Sequence, residues 1–250
     1  MVSTRSARRT ATTVALAVTA LLAVGLVGEP RAQAATTTST LRIGTSVQGR
    51  ALVAIHRSAP GATKRVLVIG VIHGNEKAGW WVIERLKRWD VPANVDLWLI
   101  PSINPDGMAA NTRTNAHKVD LNRNFPQSWV YAGKGTSKYS GPSAGSEPET
   151  RAVMAFVKAH PPRTTVVLHQ PLFGVDSYHA KSITLVQALA RETQLPVKSF
   201  ACSSTCHGTL TGWHNAYTPG RAVTIEFGAS ASTWRLSVVA AGIRKVGSAY

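Results

Sequence analysis

The run Val66-Leu-Val-Ile-Gly-Val-Ile-His73-Gly74-Asn75-Glu76 constrains the chain most. An apolar, largely β-branched stretch without alternation reads as a strand buried on both faces. Apolarity stops at His73, and an amphipathic helix pattern begins at about Glu76. His73 and Glu76 therefore sit at the carboxyl end of a strand, where open α/β sheets bind their ligands. Two residues separate this imidazole from this carboxylate. The pair can reach one Zn²⁺, which takes N and O ligands at roughly 2.0–2.2 Å. Gly74 is expected to let the backbone bend between them. A lone His-x-x-Glu is short enough to be an ordinary turn, so the rest of the chain has to decide.

The same pattern recurs. Val95–Pro101 reads as a buried strand that delivers the turn sequence Asn104-Pro-Asp-Gly107 to the same sheet edge. Thr164–Leu168 is a third buried strand and ends in His169; Arg221–Ile225 is a strand that ends in Glu226. Between them, amphipathic helices are expected to bury Ala78, Trp81, Val82, Leu86 and Trp89, then Val153, Met154 and Val157, then a face over Ser182–Arg191. A last helix carries Leu236, Val239, Ala240 and Ile243 and is expected to stop at Gly247. Ser146-Glu-Pro-Glu149 reads as a capping box. Leu41–Ser46 and Arg50–His56 read as strands around a Gln48-Gly49 turn, and Gly208–Tyr217 as irregular. The alternation predicts an α/β/α sandwich with a mixed, mainly parallel sheet. Strand ends thus present His73/Glu76, His169 and Glu226. Two histidines and one carboxylate with an open fourth position make a catalytic zinc set, and a further carboxylate can take a proton from water.

The N-terminus reads as a signal peptide over residues 1–34. Arg5, Arg8 and Arg9 form a charged segment, Thr13–Val27 is apolar but short for a bilayer, and Ala32-Gln-Ala34 is a small-x-small cleavage site. Arg8-Arg9 raises a twin-arginine route without the usual bulky residues behind it. Residues 35–40 read as a Thr-rich linker and 41–250 as one domain. Losing residues 1–34 removes four Arg and one Glu and lowers the net charge from +16 to +13. For an exported protein this basic, an anionic cell wall is a better partner than nucleic acid; a solvated surface serving solubility is the bland alternative. No transmembrane segment is expected after removal of the signal. Cys202 and Cys206 are the only cysteines, and in an oxidising compartment they read as a local disulfide.

Five motifs in order then resemble the zinc carboxypeptidase family: His73-Gly-Asn-Glu76, Asn104-Pro-Asp-Gly107, Asp120-Leu-Asn-Arg-Asn-Phe125, Ser146-Glu-Pro-Glu-Thr150 and Thr224-Ile-Glu226. The small size and the short interval from Arg113 to Asn122 look like its bacterial murein peptide amidase branch, which cleaves the γ-D-glutamyl–meso-diaminopimelate bond. The resemblance implies one Zn²⁺ per chain held by His73, Glu76 and His169, with Glu226 as general base and then acid. It implies that Arg113 stabilises the oxyanion, that Asn122 and Arg123 hold the substrate's free carboxylate, and that Asp120 orients His73. It also implies a cis bond at Gln170–Pro171 and a specificity pocket along Cys202–Gly212. Digestive members carry a mobile Tyr well upstream of the base; here Tyr217 stands only nine residues before Glu226, which leaves its role open. His117 faces either substrate or solvent. His56, His160, His179, His207 and His214 read as structural or exposed.

Three other readings compete. A general metallocarboxypeptidase would act on protein C-termini. An aspartoacylase-like deacylase shares the His-Gly-Asn-Glu and Asp-Leu-Asn-Arg stretches, but the signal peptide and the Asn104 and Ser146 motifs argue against it. A wall-binding module with a dead site would lack a ligand or the base, and all are present.

Overall fold

The computed structural model describes residues 1–3, 35–201 and 207–250. The chain divides into two units, Met1–Ala32 and Gln33–Tyr250, and everything below concerns the second. The body of the expected signal peptide and both cysteines lie outside the described residues. Among the described residues no helix is long and apolar enough to cross a membrane.

Eight strands form one mixed sheet: β1 (Thr37–Thr45), β2 (Ala51–Ser58), β3 (Lys64–Ile69), β4 (Val95–Ile100), β5 (Thr164–His169), β6 (Gly174–Asp176), β7 (Val197–Lys198) and β8 (Arg221–Glu226). Their order is β1-β2-β4-β3-β5-β8-β6-β7. The centre, β4-β3-β5-β8, is parallel. The β1–β2 hairpin joins β4 antiparallel, and β6 joins β8 antiparallel.

Side-chain alternation builds two cores, one on each face. Val66, Val68, Val166, Leu168, Val223 and Ile225 pack with helices α1 (Ala78–Leu86), α4 (Ile183–Thr193) and α6 (Thr233–Ala249). Leu67, Ile69, Trp98, Ile100 and Val167 pack with helices α3 (Pro148–Ala159) and α5 (Leu210–Tyr217). This is the three-layer α/β/α sandwich that the continuous apolar runs predict: strands covered on both faces have no polar side to show. The remaining helix, α2 (Pro105–Ala110), is short and lies at the carboxyl edge of the parallel strands.

Local expectations fail where a single signal was asked to set an element. β1 begins at Thr37, inside the stretch read as linker, because pairing with β2 organises it. Helix α1 turns Ile83 inward and leaves Trp81 54% exposed. The residues read as irregular before Tyr217 form α5, with the Thr209 side chain accepting from the Gly212 amide. Ser146 does not cap α3; Glu147 is the N-cap residue, without a side-chain cap bond, and the Ser146 hydroxyl donates to Glu147 Oε1 at 2.7 Å. In α3, Phe156 takes the buried place expected of Met154. Helix α6 runs through Gly247, which packs against Val66. The Gln170–Pro171 bond is cis, as expected.

His214 of α5 is fully buried between the Thr165 and Thr218 hydroxyls, at 3.0 and 3.1 Å. Burial, with Lys181 adding repulsion, pushes its pKa down to about 4. The unfolded chain therefore takes the proton first as pH falls. This stabilisation is complete above the unfolded value of about 6.5 and is lost progressively toward pH 4, on the order of 3 kcal/mol in all. Denaturant melts at pH 7 and pH 4 should show wild type losing more stability than His214→Gln by roughly that amount. Equal losses would contradict the account.

Candidate metal centre

Four of the parallel-sheet connections meet at one edge. His73 and Glu76 follow β3, Asn104 follows β4, and His169 and Glu226 end β5 and β8, where they stand opposite each other in the ladder. Glu76 lies in a tight turn, its amide donating to the His73 carbonyl at 3.0 Å, ahead of α1 rather than at its start. Gly74 serves a close approach more than a bend: a Cβ there would lie 2.0 Å from the Gly107 carbonyl carbon. The loop after β3 touches the backbone of α2, which follows β4, at that point.

His73, Glu76 and His169 are 3%, 8% and 3% exposed. They bring ligand-capable atoms within 4.8 Å of one another. Each oxygen of Glu76 meets one imidazole, His73 Nδ1 at 2.8 Å and His169 Nδ1 at 3.0 Å. The Gln170 amide also donates to Oε2, at 3.0 Å, and Arg113 Nη1 donates to Oε1, at 3.1 Å. His73 Nε2 lies 3.0 Å from Asp120 Oδ1, which fixes the ring and reserves Nδ1 for the cluster. Asp120 is fully buried, and its Oδ2 accepts from Arg113 Nε and Nη2 at 3.0 and 2.9 Å. Burial alone would raise Glu76 and Asp120, but their imidazole partners, with Arg113 and Arg123 beside Asp120, hold both well below the usual carboxylate range. Burial pulls His73 down, and the two carboxylates outweigh it. Two imidazole nitrogens and a carboxylate, dry and mutually oriented, are a donor set that fits Zn²⁺.

The cluster forms one wall of a cavity of about 310 Å³. Glu226, Arg113, Asn122 and Arg123 line it too, so every residue expected at the site is brought together, with Asp120 behind. Glu226 is 8% exposed and accepts from the Leu172 amide at 3.2 Å. Burial pushes its pKa up, with Glu76 adding to the shift. Asn122 and Arg123 stand on a single 3₁₀ turn, Leu121–Arg123, capped by Asp120. The Leu210 amide donates to Asn122 Oδ1 at 2.9 Å. Arg123 is 9% exposed and donates from Nη1 to the Asn122 carbonyl at 2.7 Å, and its buried Nε has no partner among the described residues. Gly208, at φ +65°, lets the chain before α5 lie on the Arg123 backbone, where a Cβ would come within 2.3 Å of the carbonyl oxygen.

Other sequence signals prove to be scaffold. Asp106, from the Asn104 motif, is buried and held by Ser46 Oγ at 2.8 Å, the Gln48 amide at 2.9 Å and Arg50 Nη1 at 2.6 Å. Glu147 and Glu149 are buried together on the Asn115 amide group, at 2.8 and 3.1 Å. His117 caps Glu147 at 2.8 Å, and neither it nor the 64% exposed Tyr217 lines the cavity. His179 does line it, contrary to its reading as structural or exposed. The expected pocket stretch contributes Thr209 and Thr211, while Asp176 and Phe200 come from segments that carry no motif.

The zinc carboxypeptidase profile matches residues 29–172. The chain belongs to the zinc carboxypeptidase family. That family is zinc-dependent, which agrees with the donor set. Murein peptide amidase A of Escherichia coli K12 is 31% identical over 171 residues, 62% of this chain and 69% of that protein. Carboxypeptidase SOL1 of Arabidopsis thaliana is 33% identical over 132 residues, but this chain spans only 26% of its length. The murein-tripeptide amidase structure from Escherichia coli O157 superposes with a TM-score of 0.68 at 24% identity, covering 88% of this chain and 95% of that one. Carboxypeptidase A of Helicoverpa armigera gives 0.70 at 19% identity, over 85% and 68%. The protein is therefore a metallopeptidase-type hydrolase on a carboxypeptidase-like fold.

Replacing Asp120 with Asn keeps the shape but removes the charge that orients His73. Chelator competition should find zinc bound about 10–100-fold more weakly. Unchanged affinity in a folded variant would remove Asp120 from the centre.

Proposed function

We propose that this protein hydrolyses a peptide or isopeptide bond next to a free carboxylate, with murein peptides as its substrate class. The observation that carries the reading is the shared cavity. The His73–Glu76–His169 donor set, the carboxylate of Glu226 and the guanidinium of Arg123 line one space, which supports the reading. The likeness to murein peptide amidase A supports the substrate class. The charged, apolar and small-residue order of residues 1–34, with a net charge of +16, supports export toward an anionic wall.

His73, Glu76 and His169 would hold the zinc. When bound, zinc supplies a Lewis acid for the scissile carbonyl and eases deprotonation of water. Glu226 takes a proton from the attacking water at its carboxylate and returns it to the leaving nitrogen as the C–N bond breaks. Arg113 keeps donors near the cluster after satisfying Asp120 and can meet negative charge developing on the carbonyl oxygen. Asn122 and Arg123 position the free carboxylate, the guanidinium offering a bidentate grip. Cys202 and Cys206 would form a local disulfide after export to an oxidising compartment.

Two carboxylates that look alike in sequence then separate by experiment. Glu226→Gln should lower kcat by roughly 10²–10⁴ while zinc stays near one per chain. Glu76→Gln should lose zinc on dialysis. Metal analysis and turnover read both; zinc loss from Glu226→Gln, or its full activity, would reverse the assignment. Arg123→Gln should raise KM at least about tenfold for a substrate with a free carboxylate. A C-terminally amidated analogue should be a poor substrate of wild type and change little in the variant.

A further inference from the structure

The opposite edge of the sheet holds a cleft that no motif marks. At the amino-terminal ends of β3, β5 and β8, an open cleft of about 550 Å³ is lined by Arg65, Arg163 and Arg221. Their backbones lie side by side. The Arg163 amide donates to the Arg65 carbonyl at 2.9 Å, and the Arg221 amide donates to the Arg163 carbonyl at 3.0 Å. Adjacent strands stand about 4.8 Å apart, so three guanidinium side chains start from neighbouring positions. Like charges so placed repel one another. Arg65 gives its Nε to Asp96 Oδ2 at 2.7 Å, while His56 meets the other oxygen of that carboxylate. Among the described residues the side chains of Arg163 and Arg221 make no hydrogen bond or ion pair, and no carboxylate lines the cleft.

The backbone under these arginines is stiff. Pro161 and Pro162 lead into β5 and Pro219 leads into β8, each with φ fixed by its ring. The two lead-ins touch at Gly220, where a Cβ would lie 2.0 Å from the Pro162 carbonyl oxygen. Mutually repelling guanidinium groups on a fixed floor are organised in advance for an anion. One guanidinium fork satisfies a carboxylate, whereas successive phosphates can engage all three. Among the described residues no aromatic ring lines the cleft, so it lacks the stacking platform that single-stranded nucleic acid uses. We propose that this cleft is a docking site for a phosphodiester-linked anionic polymer of the cell wall. Strand β5 is six residues long, so the cleft and the metal centre stand about 20 Å apart at its two ends. A polymer held at one end leaves the catalytic cavity open at the other. The inference rests on the proposed function only in setting the protein beside a wall.

Calorimetry of the zinc-loaded protein would compare polyglycerol phosphate, poly-L-glutamate, oligo-deoxythymidine and inorganic phosphate. Wild type should bind polyglycerol phosphate at least about tenfold more tightly than each of the others. Arg163→Gln/Arg221→Gln should weaken that binding at least about tenfold and lower the slope of log affinity against log salt by roughly two. Arg163→Gln alone, at an exposed position, should lower the slope by roughly one. Arg88→Gln/Lys118→Gln removes the same charge from exposed positions outside the cleft and should change affinity less than about twofold. No polymer binding by wild type, unchanged affinity in the folded cleft variants, or equal losses in the two double variants would overturn the proposal. So would tighter binding of oligo-deoxythymidine, which assigns the cleft to nucleic acid, or of poly-L-glutamate, which assigns it to carboxylates. Inorganic phosphate binding as tightly as the polymer would make an isolated phosphate the ligand and also overturn docking. Hydrolysis of a soluble murein peptide should be the same in wild type and all three variants. Absence of that hydrolysis, with polymer binding and its loss in the cleft variants intact, counts against the hydrolytic reading and leaves the docking site in place.

Discussion

The buried carboxylate of Asp120 is the contact on which the site depends. One oxygen holds His73 and the Asn122 amide; the other takes two donors from Arg113. Three residues with different proposed tasks are thereby referred, through four contacts, to a single fully buried carboxylate. Nothing in that arrangement can move alone. Arg113 reaches back to Glu76, so the network closes on itself around His73. A carboxylate sequestered this deeply is tolerated only because its charge is answered from both sides.

The motifs outside the cavity make this possible at a distance. Asn124 gathers the Ser140 and Ser143 carbonyls and the Ser146 hydroxyl, and its own oxygen accepts from the Glu147 amide. The long Gly- and Ser-rich loop is thus tied at its far end to the turn that carries Arg123. Glu149 reaches the Val47 amide and Asp106 reaches Ser46, so the β1–β2 hairpin is fastened to the same support. Burial and the neighbouring Glu147 push the Glu149 carboxyl up, a sign that this support is assembled at some electrostatic cost.

The sandwich was legible because β3, β4, β5 and β8 are covered twice and so carry uninterrupted apolar runs. The site was legible because its ligands stand where those runs stop. What escaped reading lacked a period or a motif. β6 and β7 have three and two residues, too few for alternation to register. Helix α5 has eight residues and contains Gly212, so only its Thr209 cap announces it. Asp176 ends a strand too short to be seen and His179 follows it, and the place of that strand beside Glu226 is set by register with β8. Ser146 failed as a cap because a tertiary partner, Asn124, claimed its hydroxyl.

One rung of the ladder sets His169 against Glu226. Their backbones are separated by an interstrand spacing of about 4.8 Å, a length that sheet hydrogen bonding imposes and that no side chain can adjust. The other walls of the cavity come from the turn at Arg123, the lead-in to α5 and the strand β6, which belong to different segments. A lineage can therefore alter the lining of the cavity, one segment at a time, while His169 and Glu226 keep their spacing. The sheet acts as a fixed jig, and the loops around it are the replaceable tooling.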